Sequence, residues 1–337
     1  MQILVVGPSW VGDMVMAQVL FKVLRERYPS AAIDVLAPDW SLPLIARMPE
    51  VRQGLPMPLG HGELALKVRW KLGRQLKSAG YQQAIVLPNS LKSAFVPAFA
   101  GIPCRTGWRG ELRYGWLNDL RVLNKARYPL MIQRFAALGY PAGMPLPAVL
   151  PYPALQVDEA NASRLLAELQ LGREQPVLAL CPGAEFGPAK RWPSEHYSAV
   201  AADWLGKGGK VWLLGSGKDH AVGEQLLAAI PAGHRAGCRN LAGRTQLVDA
   251  VDLLSMADKV VSNDSGLMHI ACAVNRPLVA VYGSTSPGFT PPLSEQVRAV
   301  LKPVPCGPCF QRDCPLGHLA CLRDLEPAKV LAALDSL

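Results

Sequence analysis

Short apolar runs at 2–6, 32–37 and 83–87 alternate with longer stretches, 13–27 and 90–100, in which apolar side chains return every third or fourth position. The runs predict buried strands and the stretches predict helices, the alternation of a parallel sheet with crossovers. From 139 to 153 the pattern lapses into a Pro- and Gly-dense segment that reads as an interdomain linker. It then resumes, with strands predicted at 176–181, 210–214, 259–262 and 278–282 and helices at 159–169, 194–205, 219–230, 246–256 and 266–274. No tandem repeat or low-complexity tract interrupts it. The economical α/β architecture is two Rossmann-like domains facing each other across a cleft, 1–153 and 154–325. The last segment, 326–337, reads as a helix free to pack back on the N-terminal domain.

The segment 259–283 holds the densest candidate chemistry. Asn263-Asp264-Ser265-Gly266 falls at the carboxyl end of a predicted strand, where open α/β sheets bind ligands. Ser265 is suited to cap the following helix, whose N-terminus attracts anions, and Gly266 lets a ligand approach the backbone. His269 lies one turn further in. Taken alone, the same residues also describe an ordinary capped crossover.

Three further loops follow strands. In Gly7-Pro8-Ser9-Trp10-Val11-Gly12-Asp13 the glycines allow a tight turn, but the order is not G-x-G-x-x-G, and Asp13 would repel a phosphate. Asp13 is either a general base or a helix cap. In 181–193, Lys190 and Arg191 are either a diphosphate clamp, one a point charge and the other a fork, or a solvated pair. Gly215-Ser216-Gly217 is a truncated G-x-G, after which Asp219 is either a ribose contact or a cap.

Cys306, Cys309, Cys314 and Cys321 hold half of the eight cysteines within sixteen residues. The C-x2-C-x4-C-x6-C spacing matches no standard finger. The alternatives are a structural zinc or iron–sulfur site and free thiols. Lys92, Arg105, Arg109 and Arg113 share a region with Trp108, Tyr114 and Trp116, either a basic and aromatic wall for an anionic acceptor or a solvated face over core aromatics.

Composition narrows the partners. With 337 residues, 50% hydrophobic and 18% charged, the chain can bury two cores, and a net charge of +9 favours acidic partners. Nucleic acid is the weakest of these, since basic runs interleaved with aromatics are missing. No run reaches the roughly 18 uncharged apolar residues of a membrane span, and Met1 to Leu20 lacks a basic start and carries Asp13. A cytoplasmic location is expected.

The blocks GPSWVGDMVM at 7–16, LPNSLKSAFVPAFAGIPCRTGWRGELRYG at 87–115, CPGAEFGPAKRWP at 181–193 and SNDSGLMHIACAVNRP at 262–277 resemble the ADP-heptose:lipopolysaccharide heptosyltransferases, most closely the heptosyltransferase II branch. The resemblance implies a GT-B fold and inverting transfer of L-glycero-D-manno-heptose from ADP-heptose to the first heptose of the inner core, on heptosyl-Kdo2-lipid A. It implies Asp13 as base, Lys190 and, less directly, Arg191 on the leaving diphosphate, Asp264 on the heptose, and Ser265, Gly266 and His269 around the pyrophosphate. Asp219 as a ribose contact is a looser transfer. It places Lys92, Arg105, Arg109 and Arg113 on the acceptor and the enzyme peripherally at the anionic cytoplasmic face of the inner membrane. No D-x-D pair is present to hold a metal-bound diphosphate, so no cofactor is expected in catalysis. The cysteines have no part in the family's chemistry. Other readings are heptosyltransferase I or a relative with another acceptor, and a nicotinamide-dependent oxidoreductase, which lacks its G-x-G-x-x-G.

Overall fold

The computed structural model describes residues 1–60 and 62–337, which divide into two compact units, Met1–Pro153 and Ala154–Leu337. The first unit runs β1 (Gln2–Val6), α1 (Val11–Arg27), β2 (Ala32–Ala37), α2 (Leu42–Ile45), β3 (Gln53–Pro56), α3 (Leu66–Leu76), β4 (Gln83–Val86), α4 (Phe95–Phe99), β5 (Cys104–Trp108), β6 (Asp119–Arg121) and α5 (Met131–Leu138). The second runs α6 (Glu159–Glu168), β7 (Val177–Cys181), α7 (Ser194–Gly206), β8 (Lys210–Leu213), α8 (His220–Ala229), β9 (Cys238–Asn240), α9 (Leu247–Met256), β10 (Lys259–Asn263), α10 (Gly266–Ala273), β11 (Leu278–Tyr282), β12 (Val297–Leu301), α11 (Ala320–Arg323) and α12 (Pro327–Asp335).

Every strand pair is parallel. The sheet orders are β3-β2-β1-β4-β5-β6 and β12-β11-β10-β7-β8-β9. Counted within its own unit, each is the 3-2-1-4-5-6 order of a Rossmann fold, with its switch point between the first and fourth strands. Those are β1 and β4 in one unit, β7 and β10 in the other. The strand pattern follows from burial: β7 and β11 are apolar at every position and lie wholly inside, as a sheet covered on both faces requires.

The expected central strands all form. The strands that the pattern did not announce are β3, β5, β6, β9 and β12, four of them the sheet edges and the fifth, β5, next to an edge; β6 and β9 are only three residues long and β3 has no buried residue. An edge strand buries too little to need a continuous apolar run. Residues 144–147 and 150–158 contain neither helix nor strand nor turn. The last helix, α12, buries Val330 and Leu334 in the core of its own unit, and Lys259 Nζ donates to the Leu334 carbonyl at 2.7 Å. Its apolar side packs within the C-terminal unit.

Helix α3 packs on α4 at close range through Gly73. A Cβ there would lie 2.5 Å from Phe99 Cβ and 2.9 Å from the Val96 carbonyl oxygen, both in a fixed neighbouring helix. Gly73→Ala is expected to cost about 1–3 kcal/mol through overpacking, measured as a drop in the urea unfolding midpoint with an unchanged slope.

Candidate active site

The loop after β7 and the turn after β10 emerge side by side at the switch point of the second sheet. Here Lys190 Nζ donates to Asp264 Oδ2 at 2.7 Å and to the Asp264 carbonyl at 3.3 Å. The Thr285 hydroxyl donates to the same Oδ2 at 2.5 Å. Asp264 is 3% exposed and the Lys190 side chain 14%, so water screens this pair little. Lys190 Nζ also stands 5.0 Å from the centre of the Phe186 ring, on its face. A compact cation, a buried carboxylate and a hydroxyl thus converge where three loops meet.

Asn263 secures that convergence. Its Oδ1 accepts from the Trp192 N–H and the Tyr197 hydroxyl, both at 3.1 Å, and its Nδ2 donates to the Pro182 carbonyl at 2.7 Å. One side chain ties the end of β10 to both ends of the Lys190 loop. The loop is backed from behind as well: Ala189 N–H donates to the Arg312 carbonyl at 3.0 Å, and Gly187 passes so close that a Cβ would sit 2.4 Å from that oxygen.

The remaining donor-side candidates sort by what they touch. Arg191 donates through Nε and Nη2 to the Ala184 carbonyl at 3.3 and 3.2 Å, bracing the loop. Asp219 is buried, and its Oδ2 accepts from Ser216 N–H at 2.9 Å and Ser216 Oγ at 2.8 Å, a turn-closing role. Ser265 stands at the N-cap of α10, but its side chain makes no cap bond; its Oγ is 3.3 Å from Ser262 Oγ. Gly266 opens α10. His269 is buried with Nδ1 unpartnered, as is the Ser284 Oγ. Burial holds the His269 imidazole down to about 4, with Asp264 pulling it up and Lys190 pushing it further down. It is neutral at pH 7. Thr285 and Ser284 were not singled out from sequence, although G-S-T-S-P directly after an apolar strand is a signal of the same kind as N-D-S-G.

In the first unit Asp13 lies in the first turn of α1, half-buried, just past the switch-point end of β1. The N-cap of that helix is Trp10, so Asp13 is not the cap. The expected basic wall divides. Arg113 is fully buried: it donates to the Pro88 carbonyl at 2.6 Å, to Asn89 Oδ1 at 3.3 Å and to the Trp108 carbonyl. Burial pushes its pKa down, against the pull of Glu111. Arg105 donates to the carbonyls of Trp116 at 2.7 Å and Ile102 at 2.6 Å. Arg105 is spent on backbone oxygens and Arg113 on backbone oxygens and the Asn89 side chain, and both brace the loops after β4 and β5. Lys92 is half-buried, and Arg109 and Tyr114 are exposed.

Cys306, Cys309, Cys314 and Cys321 line one small cavity with His318. Among the described residues, however, no three His, Cys, Asp or Glu side chains are gathered so as to hold a metal ion. The four thiols border a common space beside His318. Cys314 is held below the usual thiol range by backbone N–H groups, that of Leu319 foremost and then those of Leu316, Gly317 and His318. Cys321 is pushed up by burial and by the neighbouring Cys309, Cys314 and Cys306.

A cation, a carboxylate and helix-end amides at the switch point of one Rossmann unit, with a carboxylate at the switch point of another, are the parts of a GT-B glycosyltransferase that uses a nucleotide sugar. The chain belongs to glycosyltransferase family 9, the heptosyltransferases, whose model matches residues 69–320. It is 52% identical over 342 residues to the Escherichia coli lipopolysaccharide heptosyltransferase 2, covering 100% of this chain and 98% of that one. It is 52% identical over 309 residues to the Haemophilus influenzae lipooligosaccharide heptosyltransferase 2, covering 89% and 88%. The solved structure of E. coli ADP-heptose lipopolysaccharide heptosyltransferase II matches with a TM-score of 0.90 at 50% identity, over 100% of this chain and 98% of that one. No helix among the described residues is long and apolar enough to cross a membrane.

Two measurements follow. An unfolded chain binds the His269 proton at about 6.5, the native one only near 4, so stability falls as pH drops through that window and levels off below it. His269→Gln is expected to decline with pH less steeply in urea titrations, by about 1.4 kcal/mol per unit and about 3 kcal/mol in all; parallel slopes would refute the buried neutral imidazole. The thiols give the second: at pH about 7.5, Cys314 is expected to be alkylated by iodoacetamide faster than Cys321, with peptide mass spectrometry as the readout.

Proposed function

We propose that this enzyme inverts configuration as it moves L-glycero-D-manno-heptose from ADP-heptose to the first heptose of the lipopolysaccharide inner core, on heptosyl-Kdo2-lipid A. The observation that carries the reading is the Lys190–Asp264–Thr285 cluster at the switch point, in a chain 52% identical over its whole length to a named heptosyltransferase 2. Inverting transfer needs a base on the acceptor and stabilisation of the departing diphosphate, with no covalent intermediate.

The bond-making step runs as follows. The acceptor hydroxyl gives its proton to the Asp13 carboxylate while its oxygen attacks the anomeric carbon. The bond from that carbon to the diphosphate oxygen breaks, and its electron pair leaves with ADP. Lys190 meets the charge that develops there, helped by the first amides of α10 beyond Ser265 and Gly266. Asp264, being anionic, accepts from sugar hydroxyls, and Thr285 fixes the carboxylate in place. His269, neutral, offers a hydrogen bond and no charge. Arg191 and Asp219 serve by holding their loops in shape. The positive charge that Lys190 supplies fits catalysis without a divalent cation.

On the acceptor side Lys92 and Arg109 face the anionic core sugars, while Arg105 and Arg113 keep the loops that carry them rigid. The substrate's lipid anchor then requires work at the cytoplasmic face of the inner membrane, through peripheral contact with an anionic surface and without nucleic acid. Asp13→Asn is expected to lower kcat by about 100-fold or more while calorimetry gives an ADP affinity within about twofold of the parent. Undiminished turnover would remove Asp13 as the base.

A further inference from the structure

Between Glu63 and Glu111 the chain has no acidic residue but eight Lys and Arg. Four of them fall in α3 and a fifth, Lys77, directly follows it. The helix divides cleanly by what each side meets. Arg69 and Gly73 are buried, and Leu72 and Leu76 pack on the core beside β4 and α4. The opposite side carries Lys67, Lys71 and Arg74, all exposed, flanked by Leu66 at 48% and Trp70 at 53% exposure. Leu64 and Val68 are exposed beside them.

This outward display of large apolar side chains is built into the backbone. Ala65 enters the helix in the left-handed region, at φ 37°, which an alanine adopts only under constraint. The constraint is Arg69, whose Nε donates to the Leu64 carbonyl at 2.7 Å and whose Nη2 donates to the Glu63 carbonyl at 3.0 Å. Its Nη1 donates to the Lys92 carbonyl at 3.2 Å. The same buried guanidinium therefore fixes Leu64 outside and joins the helix start to the Lys92 segment.

We propose that the outer face of α3 docks in the headgroup layer of an anionic bilayer. The inference rests on the reading that the acceptor is lipid-anchored, and it names the surface that meets the lipid. Charge complementarity selects the occupant: an all-basic face with no acid to pair with fits a sheet of phosphate headgroups, and Trp70, Leu66 and Leu64 reach the acyl boundary where indole rings settle. The cations are spaced about a turn apart along one side of the rod, so all three contact a plane together. The Lys92 segment, held by Arg69, then lies next to that plane, where an inner-core sugar protrudes.

The test uses the full chain and vesicles of phosphatidylethanolamine with about one part in four of phosphatidylglycerol. The triple variant Lys67→Gln, Lys71→Gln, Arg74→Gln is expected to cosediment at least tenfold less than the parent, and tryptophan fluorescence shifts blue on adding these vesicles, but not neutral phosphatidylcholine, in the parent and not in Trp70→Phe. Turnover on a deacylated, water-soluble acceptor is expected to stay within twofold of the parent, while turnover on acceptor embedded in the vesicles falls. Equal cosedimentation of parent and variant overturns the proposal. So does an equal loss on soluble and embedded acceptor, which would make the face part of the sugar site. Loss of activity by the parent itself on the soluble acceptor would count against the heptosyl transfer reading and leaves the sedimentation result to decide the docking face.

Discussion

The cluster at the switch point of the second sheet is organised by one constraint, a carboxylate buried at the end of a strand. Asp264 sits where an anion is costly unless it is paired and hydrogen-bonded, and Lys190 and Thr285 meet that demand from two other loops. Because the pair is mutual, the geometry of β10's turn dictates that of the β7 loop, which Asn263 and the Arg312 carbonyl then lock from two further sides. Removing either partner leaves a lone charge inside, an effect of about 3–5 kcal/mol by the usual scale for buried pairs. The N-terminal end of α10 and the neutral His269 lie beside this knot. In the proposed reaction, position in a preformed site supplies most of the catalytic benefit of a modest base and a single lysine.

The N-terminal unit solves its loop problem with cations in place of a carboxylate. Arg113, Arg105 and Arg69 each spread their donors over backbone carbonyls that would otherwise lie unanswered, and so stiffen three connections with little regular structure. A guanidinium suits this task because its fork reaches several oxygens at once and it stays charged when desolvated. In consequence the high count of basic residues overstates the charge offered to a ligand; Lys67, Lys71, Arg74 and Arg109 are among those that are exposed.

The sheets were legible from the sequence because a doubly covered parallel strand has to be apolar throughout, and β1, β2, β4, β7, β8, β10 and β11 all announce themselves. What was missed lies at the margins: β9 and β6 are too short for any period to emerge, and β3 buries none of its residues fully. At the site, the residues that carry charge were readable as N-D-S-G and the Lys-Arg dipeptide, since loops after central strands point to the switch point. The distinction between a ligand-facing and a structural cation was not. Arg113 and Arg109 are both arginines in one loop, and only the positions of the Pro88, Asn89 and Trp108 oxygens make the first internal. For the cysteines, spacing along the chain said nothing about whether four sulfurs share a centre.

On the proposed reading, the Lys190–Asp264 ion pair also makes the site hard to fool. A lysine whose charge is already answered by Asp264 is a poor trap for stray inorganic phosphate, which would have to draw it away and leave the buried carboxylate uncompensated. A diphosphate joined to a sugar brings its own remedy, because hydroxyl groups arrive with it to satisfy the carboxylate as the lysine turns to the phosphates. Selectivity of that kind comes from a two-part key: neither the anion nor the sugar alone meets both halves of the lock.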